Sequence, residues 1–199
     1  MIEKLNKKGQ TFSEFLAEYK KMDYPPNAVT VDDVVFAIRN EKPTVLLIKR
    51  GDFPYIDDWA LPGGFVDEME SVKVAAVREL QEETGIKGVE LEPLCTVSTP
   101  NRDPRVESIS KCFFGVCSAT SELKAADDAS DAKWFEVDYA AIGDTYELVL
   151  KADNIVLNAV MKIKRFEDSK IDIDTSGIVS QNGIAFDHAK IILYAVESL

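Results

Sequence analysis

The chain has 199 residues, with 23 Lys+Arg against 35 Asp+Glu, a formal net charge of −12 and a pI near 4.6. That length suits one domain, or one domain with an extension, and 46% hydrophobic residues supply a core and exclude global disorder. The acid excess argues against a nucleic-acid or anionic-membrane surface, so an acidic chain acting on phosphates needs a divalent metal to bridge the like charges.

Residues 1–27 read as an N-terminal helical extension. MIEKLNKKGQ lacks the apolar core of a signal peptide. Phe12, Phe15, Leu16 and Tyr19 then give a helical stripe between Thr11 and Met22, Thr11 with Glu14 forms a capping box, and Pro25-Pro26 stops the helix. Val-rich residues 28–38 and the apolar run 44–48 predict two strands joined by the turn Asn40-Glu41-Lys42-Pro43. A loop over 51–58 leads through Trp59-Ala60-Leu61-Pro62-Gly63-Gly64 to a helix over 72–84, with Ser71 as N-cap and Gly85 as stop. Strands are expected over 94–98 and 107–117, and a surface loop over 119–131 before Trp134-Phe135. Tyr146, Leu148 and Leu150, then Ile155, Leu157, Ala159, Met161 and Ile163, alternate across a turn as a β-hairpin. A last helix, 187–198, starts with Asp187 as its cap. The expectation is one mixed α/β domain over 28–199, with 145–183 as an inserted hairpin and loop.

Cys95, Cys112 and Cys117 are odd in number and form no CxxC pair, so reduced thiols in a cytoplasmic protein are expected. No window reaches the roughly 18 apolar residues of a membrane span. His188 is the sole histidine, so it is expected to pack or cap at the start of the last helix rather than to catalyse.

The segment with chemical content is Gly64-x5-Glu70-x7-Arg78-Glu79-Leu80-Gln81-Glu82-Glu83-Thr84-Gly85-Ile86. On a helix, Glu79, Glu82 and Glu83 share a face, while Val77, Leu80 and Thr84 are available to pack on the sheet. Three like charges on one turn are destabilising unless neutralised, and hard oxygens in that array suit Mg²⁺ or Mn²⁺. The Gly63-Gly64 turn leaves a main-chain carbonyl at Gly63 free to join them. Chance would produce these nine positions on the order of 10⁻⁸ times per chain, which sets aside a merely solvated acidic face.

These residues resemble the signature of the Nudix hydrolases, and every signature position fits. The resemblance covers about residues 28–137 and implies the Nudix fold, a mixed β-sheet sandwiched between α-helices. It also implies metal-dependent hydrolysis of a nucleoside diphosphate linked to another moiety. By matching position, Glu79, Glu82 and Glu83 are the implied metal ligands, and Gly64, Glu70, Arg78 and Gly85 shape the loop and helix. Arg50-Gly51, the stretch Trp59 to Asp67, Pro100-Asn101-Arg102-Asp103-Pro104-Arg105 and Ile184-Ala185-Phe186-Asp187-His188 are similar to the bacterial ADP-ribose pyrophosphatase branch. They make Arg50, Trp59, Arg102, Asp103 and Arg105 the candidate substrate-binding residues, the arginines through bidentate bonds to phosphate or ribose oxygens. The expected products are AMP and ribose 5-phosphate.

A carboxylate must take the proton of the attacking water. Glu82 is available in the helix, and Asp127, Asp128 or Asp131 in the later loop. Competing readings are an enzyme sanitising damaged nucleoside triphosphates, a non-catalytic sensor of NAD metabolites, and a structural module. The sensor branch continues into a DNA-binding domain; here the chain stops at Leu199, and its charge suits DNA poorly. The branch also implies a homodimer working on a small-molecule nucleotide.

Overall fold

The computed structural model describes residues 11, 14, 27–39, 41–118, 123 and 129–198. The expected N-terminal helix lies outside these residues except at its start. There the Thr11 amide and hydroxyl donate to the Glu14 carboxylate (2.8 and 3.0 Å), and the Glu14 amide donates to Thr11 Oγ1 (3.2 Å).

Among the described residues ten strands form one sheet. They are β1 (Ala28–Arg39), β2 (Lys42–Arg50), β3 (Trp59–Ala60), β4 (Gly63–Phe65), β5 (Glu92–Val97), β6 (Ser108–Val116), β7 (Ala129–Ile142), β8 (Thr145–Ala152), β9 (Ile155–Lys162) and β10 (Gly177–Asn182). The order is β10-β9-β8-β7-β2-β1-β6-β5, with β3 paired to β2 and β4 to β1. Among the described pairs β1 and β6 run parallel, in register from Ala28↔Ser108 to Phe36↔Val116.

Among the described residues two long helices cover opposite faces. Helix α1 (Val72–Thr84) packs Ala75, Ala76 and Leu80 on Val31, Val35, Leu46 and Phe113. Helix α2 (His188–Glu197) packs Ala189, Ile191 and Ile192 in the larger core with Val34, Phe36, Leu47, Leu148 and Met161. Because both of its faces are covered, β1 is buried without interruption from Thr30 to Ala37. Each fully buried Leu or Met in these layers contributes about 1.5–3 kcal/mol of transfer free energy.

Four expectations are corrected. The loop placed over 119–131 gives way to β7 at Ala129, where the strand begins pairing with β2; residues 119–122 and 124–128 lie outside those described. The expected hairpin forms as β8 and β9 and continues the sheet edge from β7, but the loop placed after it, up to 183, contains β10. That strand is a mostly exposed edge with no apolar alternation to reveal it. Val77 is 45% exposed, and Ala75 and Ala76 pack in its place. Asp187 precedes α2 but makes no side-chain cap, since its carboxylate is held by Arg102.

Candidate active site

Helix α1 is fixed at both ends by local chemistry. Ser71 Oγ accepts from the Val74 amide, and Gly85 adopts the left-handed conformation (φ 73°) with its amide on the Gln81 carbonyl. Arg78 then clasps the preceding loop to the helix. Its Nε and Nη2 each lie 2.9 Å from the Glu70 carboxylate, and Nη2 also donates to the Phe65 carbonyl (3.1 Å). Its Nη1 donates to Glu79 (2.7 Å) and Glu82 (3.1 Å). Glu83 accepts from the Gly63 amide (2.9 Å).

The two glycines are required by close approach. A Cβ on Gly64 would sit 2.7 Å from Cδ of Glu79, and one on Gly63 3.0 Å from Cα of Asp32. Among the described residues no three Asp, Glu, His or Cys side chains converge as a ready ion cage. Arg78 holds Glu79 and Glu82, and the Gly63 amide holds Glu83. Burial raises the Glu79 carboxyl above its ordinary value despite the hydrogen bond from Arg78.

Behind these carboxylates lies Asp33, fully buried, with neither carboxylate oxygen hydrogen-bonded to any described residue. Burial, reinforced by the negative charges of Asp32, Glu83 and Glu79, pushes its carboxyl well above the usual range. Uncompensated acidic oxygens next to half-buried glutamates fit a hard divalent cation, so Mg²⁺ or Mn²⁺ suits this donor set.

A cleft of about 320 Å³ opens beside the helix and is lined by Glu79, Glu83, Arg50, Arg105, Phe53 and Phe65. The Arg50 guanidinium lies 5.0 Å from the Phe186 ring centroid, and that of Arg105 5.2 Å from Phe65 and 6.0 Å from Phe186. Arg50 Nε donates to the Pro54 carbonyl (2.7 Å), while Arg105 Nε and Nη2 reach the Asp103 carboxylate (3.0 and 2.7 Å). Burial and the like charge of Arg105 lower the Arg50 pKa. Burial raises the Asp103 carboxyl, but the hydrogen bonds from Arg105 outweigh it and leave it low.

The anticipated substrate ligand Arg102 sits lower. Its side chain is 6% exposed, and it donates to Asp187 (2.8 and 3.2 Å) and Asp32 (3.2 Å). Asp32 also accepts from the Ser110 hydroxyl (2.5 Å) and lies 3.3 Å from His188 Nε2. Because His188 Nδ1 accepts from the Leu61 amide (2.8 Å), the ring proton sits on Nε2, toward Asp32. The histidine is therefore a buried connector, as expected.

Trp59 is another correction. It is 4% exposed in the core, edge-on to Phe135 at 4.8 Å, because its flat apolar ring fills the space between sheet and α2 rather than facing the cleft. Its backbone instead pairs with Gly183 and Ala185, which sets Phe186 beside the arginines. Asp127 and Asp128 lie outside the described residues. Asp131 lies opposite Lys49 on β7, and its Oδ1 accepts from the Ala132 amide. Asp32, Asp33, Phe65 and Phe186 were missed as site residues. The available signal was two acids inside a Val-rich strand, and an aromatic after Gly63-Gly64.

A mixed sheet between two helices, with a glycine turn feeding a glutamate-rich helix beside an arginine-lined cleft, defines a class of α/β domains built around that one helix. Residues 29–154 match the NUDIX domain model, and the chain belongs to the Nudix hydrolase family. It is 34% identical over 128 residues to the "ADPR responsive transcriptional repressor NtrR" of Acinetobacter baylyi, covering 63% of this chain and 51% of the repressor. It is 40% identical over 122 residues to the "ADP-ribose pyrophosphatase" of Methanocaldococcus jannaschii, covering 61% of this chain and 68% of that protein. The chain thus spans about half the length of the first relative and two thirds of the second. Among solved structures, the NUDIX domain of Shewanella oneidensis NrtR complexed with ADP ribose superposes with a TM-score of 0.66 at 27% identity, over 95% of this chain and 99% of that domain. No described helix is long and apolar enough to cross a membrane.

Proposed function

We propose that this chain hydrolyses ADP-ribose to AMP and ribose 5-phosphate with Mg²⁺ or Mn²⁺. The observation that carries the reading is that Glu79 and Glu83 open onto the same cleft as Arg50 and Arg105. Carboxylates for a cation thereby stand next to guanidinium groups for a diphosphate, which is the pairing that an acidic protein needs to hold a polyanion. Similarity to the pyrophosphatase of M. jannaschii supports the choice of substrate.

The residues to hold the metal are Glu79, Glu82, Glu83 and the carbonyl of Gly63. When bound, the metal neutralises the diphosphate and lowers the pKa of water for attack on phosphorus. Arg50 and Arg105 bind the diphosphate oxygens, and the aromatic faces of Phe65 and Phe186 keep both guanidinium groups directed into the cleft. Asp103 steadies Arg105, and Arg102 anchors the floor on which they stand. Glu82 or Asp128 accepts the proton of the attacking water. In this reading the protein acts in the cytoplasm as a homodimer on a small-molecule nucleotide, and a monomeric mass by light scattering at micromolar concentration counts against the dimer.

A second reading, an ADP-ribose sensor, is favoured by similarity to the repressor and to the ADP-ribose-bound domain. An end-point assay with Mg²⁺ separates the two. The panel is ADP-ribose, NADH, diadenosine polyphosphates, sugar nucleotides and oxidised dGTP, with Glu83→Gln as control. Selective release of AMP from ADP-ribose, lost in the variant, is the expected result. Turnover of oxidised dGTP alone moves the protein to the sanitising class. Tight ADP-ribose binding without turnover makes it a sensor.

A further inference from the structure

Asp33 stands in β1 where the residues before and after it on the same face, Val31 and Val35, are hydrocarbon. Both pack against Ala75, Ala76 and Leu80 of α1. Strand alternation therefore turns Asp33 toward the same helix, and Phe113, its register partner on β6, belongs to the same cluster. Its amide is held by the Pro62 carbonyl (2.8 Å), next to Gly63, whose own amide holds Glu83.

The carboxylate is sealed from solvent, and neither oxygen has a hydrogen-bond partner among the described residues. The charges that reach it, from Asp32, Glu83 and Glu79, are all negative. Asp32 belongs to the other face of the strand, where Arg102, His188 and Ser110 satisfy it. A third valine at Asp33 would continue the apolar stripe, and an ionisable group without water, donor or counter-ion is among the least favourable things to bury. A cation between the sheet and the carboxylates of α1 would supply the partner that both oxygens lack.

We propose that Asp33 is a further carboxylate of the divalent-metal site, contributed by the sheet opposite Glu79 and Glu83 of α1. The proposal rests on the metal reading given above. It also explains how a helix whose glutamates are each held by a protein donor provides a complete site: the uncompensated carboxylate comes from the strand. Sealed below the cleft, Asp33 acts on the cation and not on the substrate.

The test is Mn²⁺ binding by isothermal titration calorimetry on the full chain, freed of metal by chelation, with no substrate present. Wild type binds Mn²⁺, and Asp33→Asn and Glu83→Gln each weaken binding by at least about tenfold. In EDTA, Asp33→Asn melts no lower than wild type, since the carboxyl it replaces has no hydrogen-bond partner to lose. Asp33→Cys moves the preference from Mn²⁺ toward Cd²⁺ by at least about tenfold relative to wild type, because a thiolate ligand selects the softer ion. A merely structural acid would leave that ratio unchanged. Wild-type Mn²⁺ affinity in Asp33→Asn alongside lost affinity in Glu83→Gln overturns the proposal and spares the metal reading. Absence of Mn²⁺ binding by wild type overturns both. Where Asp33→Asn does not fold, the metal preference of Asp33→Cys decides, an unchanged preference or a second failure to fold counting against the proposal.

Discussion

Replacing Arg102 separates a structural arginine from a substrate ligand. Arg102→Met keeps most of the aliphatic stem and removes the guanidinium that joins Asp32 and Asp187, whose side chains are 8% and 9% exposed. Breaking a buried ion pair by deleting one partner costs about 3–5 kcal/mol, because the remaining charge is stranded. For a chain of this size each kcal/mol moves Tm by about 2–4 °C, so a fall of roughly 6–20 °C is expected in melts without ligand. The acid dependence gives a second check. Burial alone would raise the Asp32 carboxyl, but His188, Arg102 and the Ser110 hydroxyl outweigh it and hold the group well below its ordinary 3.8. A depressed folded-state pKa gives stability that is present above 3.8 and lost as pH falls through the folded value. In Arg102→Met, Asp32 takes up its proton at higher pH, so the gap from wild type narrows as pH falls toward 3.8 and below. Urea melts across that range measure it. A variant within about 1 kcal/mol of wild type, or a gap independent of pH, refutes the reasoning; unchanged Tm with a raised KM for ADP-ribose would return Arg102 to the substrate.

Other perturbations test the remaining geometry. Glu83→Gln keeps a carbonyl for the Gly63 amide, so it is expected to hold Tm within a few degrees while reducing kcat by about 10²–10⁴, the loss of several kcal/mol of metal-assisted stabilisation. Gly64→Ala intrudes on a side chain and Gly63→Ala on backbone. The first should therefore lower turnover by displacing Glu79 with little change in urea midpoint, whereas the second should destabilise by more than about 1 kcal/mol. His188→Leu leaves the Leu61 amide without an acceptor and is expected to cost about 1–3 kcal/mol in denaturant melts, an effect absent if the histidine were only a surface cap.

What was legible in the sequence had local causes. Helix α1 was predicted with its observed bounds because Ser71 and Gly85 act within a few residues of themselves, and the carboxylate face follows from helical spacing alone. The strands β1, β2, β5, β6, β8 and β9 declared themselves through β-branched runs or alternation. By contrast, β10 carries little apolar pattern, since an exposed edge buries too little to need one. Trp59 reads from the sequence either as a cleft residue or as a buried loop anchor, and the choice falls to the anchor because its place is decided by Phe135, far along the chain, and not by its own loop.

The arginines show why a site is harder to read than a fold. Arg50, Arg102 and Arg105 are chemically alike in sequence, and a phosphate-handling protein invites all three into one role. Their fates are separated by acids brought from elsewhere. Arg102 meets Asp187, 85 positions away, and Asp32, 70 positions away, and is sealed beneath the cleft. Arg105 finds Asp103 two residues off and keeps a face on Phe65, which leaves it 43% exposed and available. Asp32 and Asp33 divide in the same manner. As neighbours on a strand they must point to opposite faces. One is consumed by the arginine–histidine network that carries the floor, and the other is left facing the glutamates of α1 with no cation among the described residues to meet it. Strand alternation thus turns a single Asp-Asp pair into one acid that holds the protein together and one whose counter-charge must come from outside.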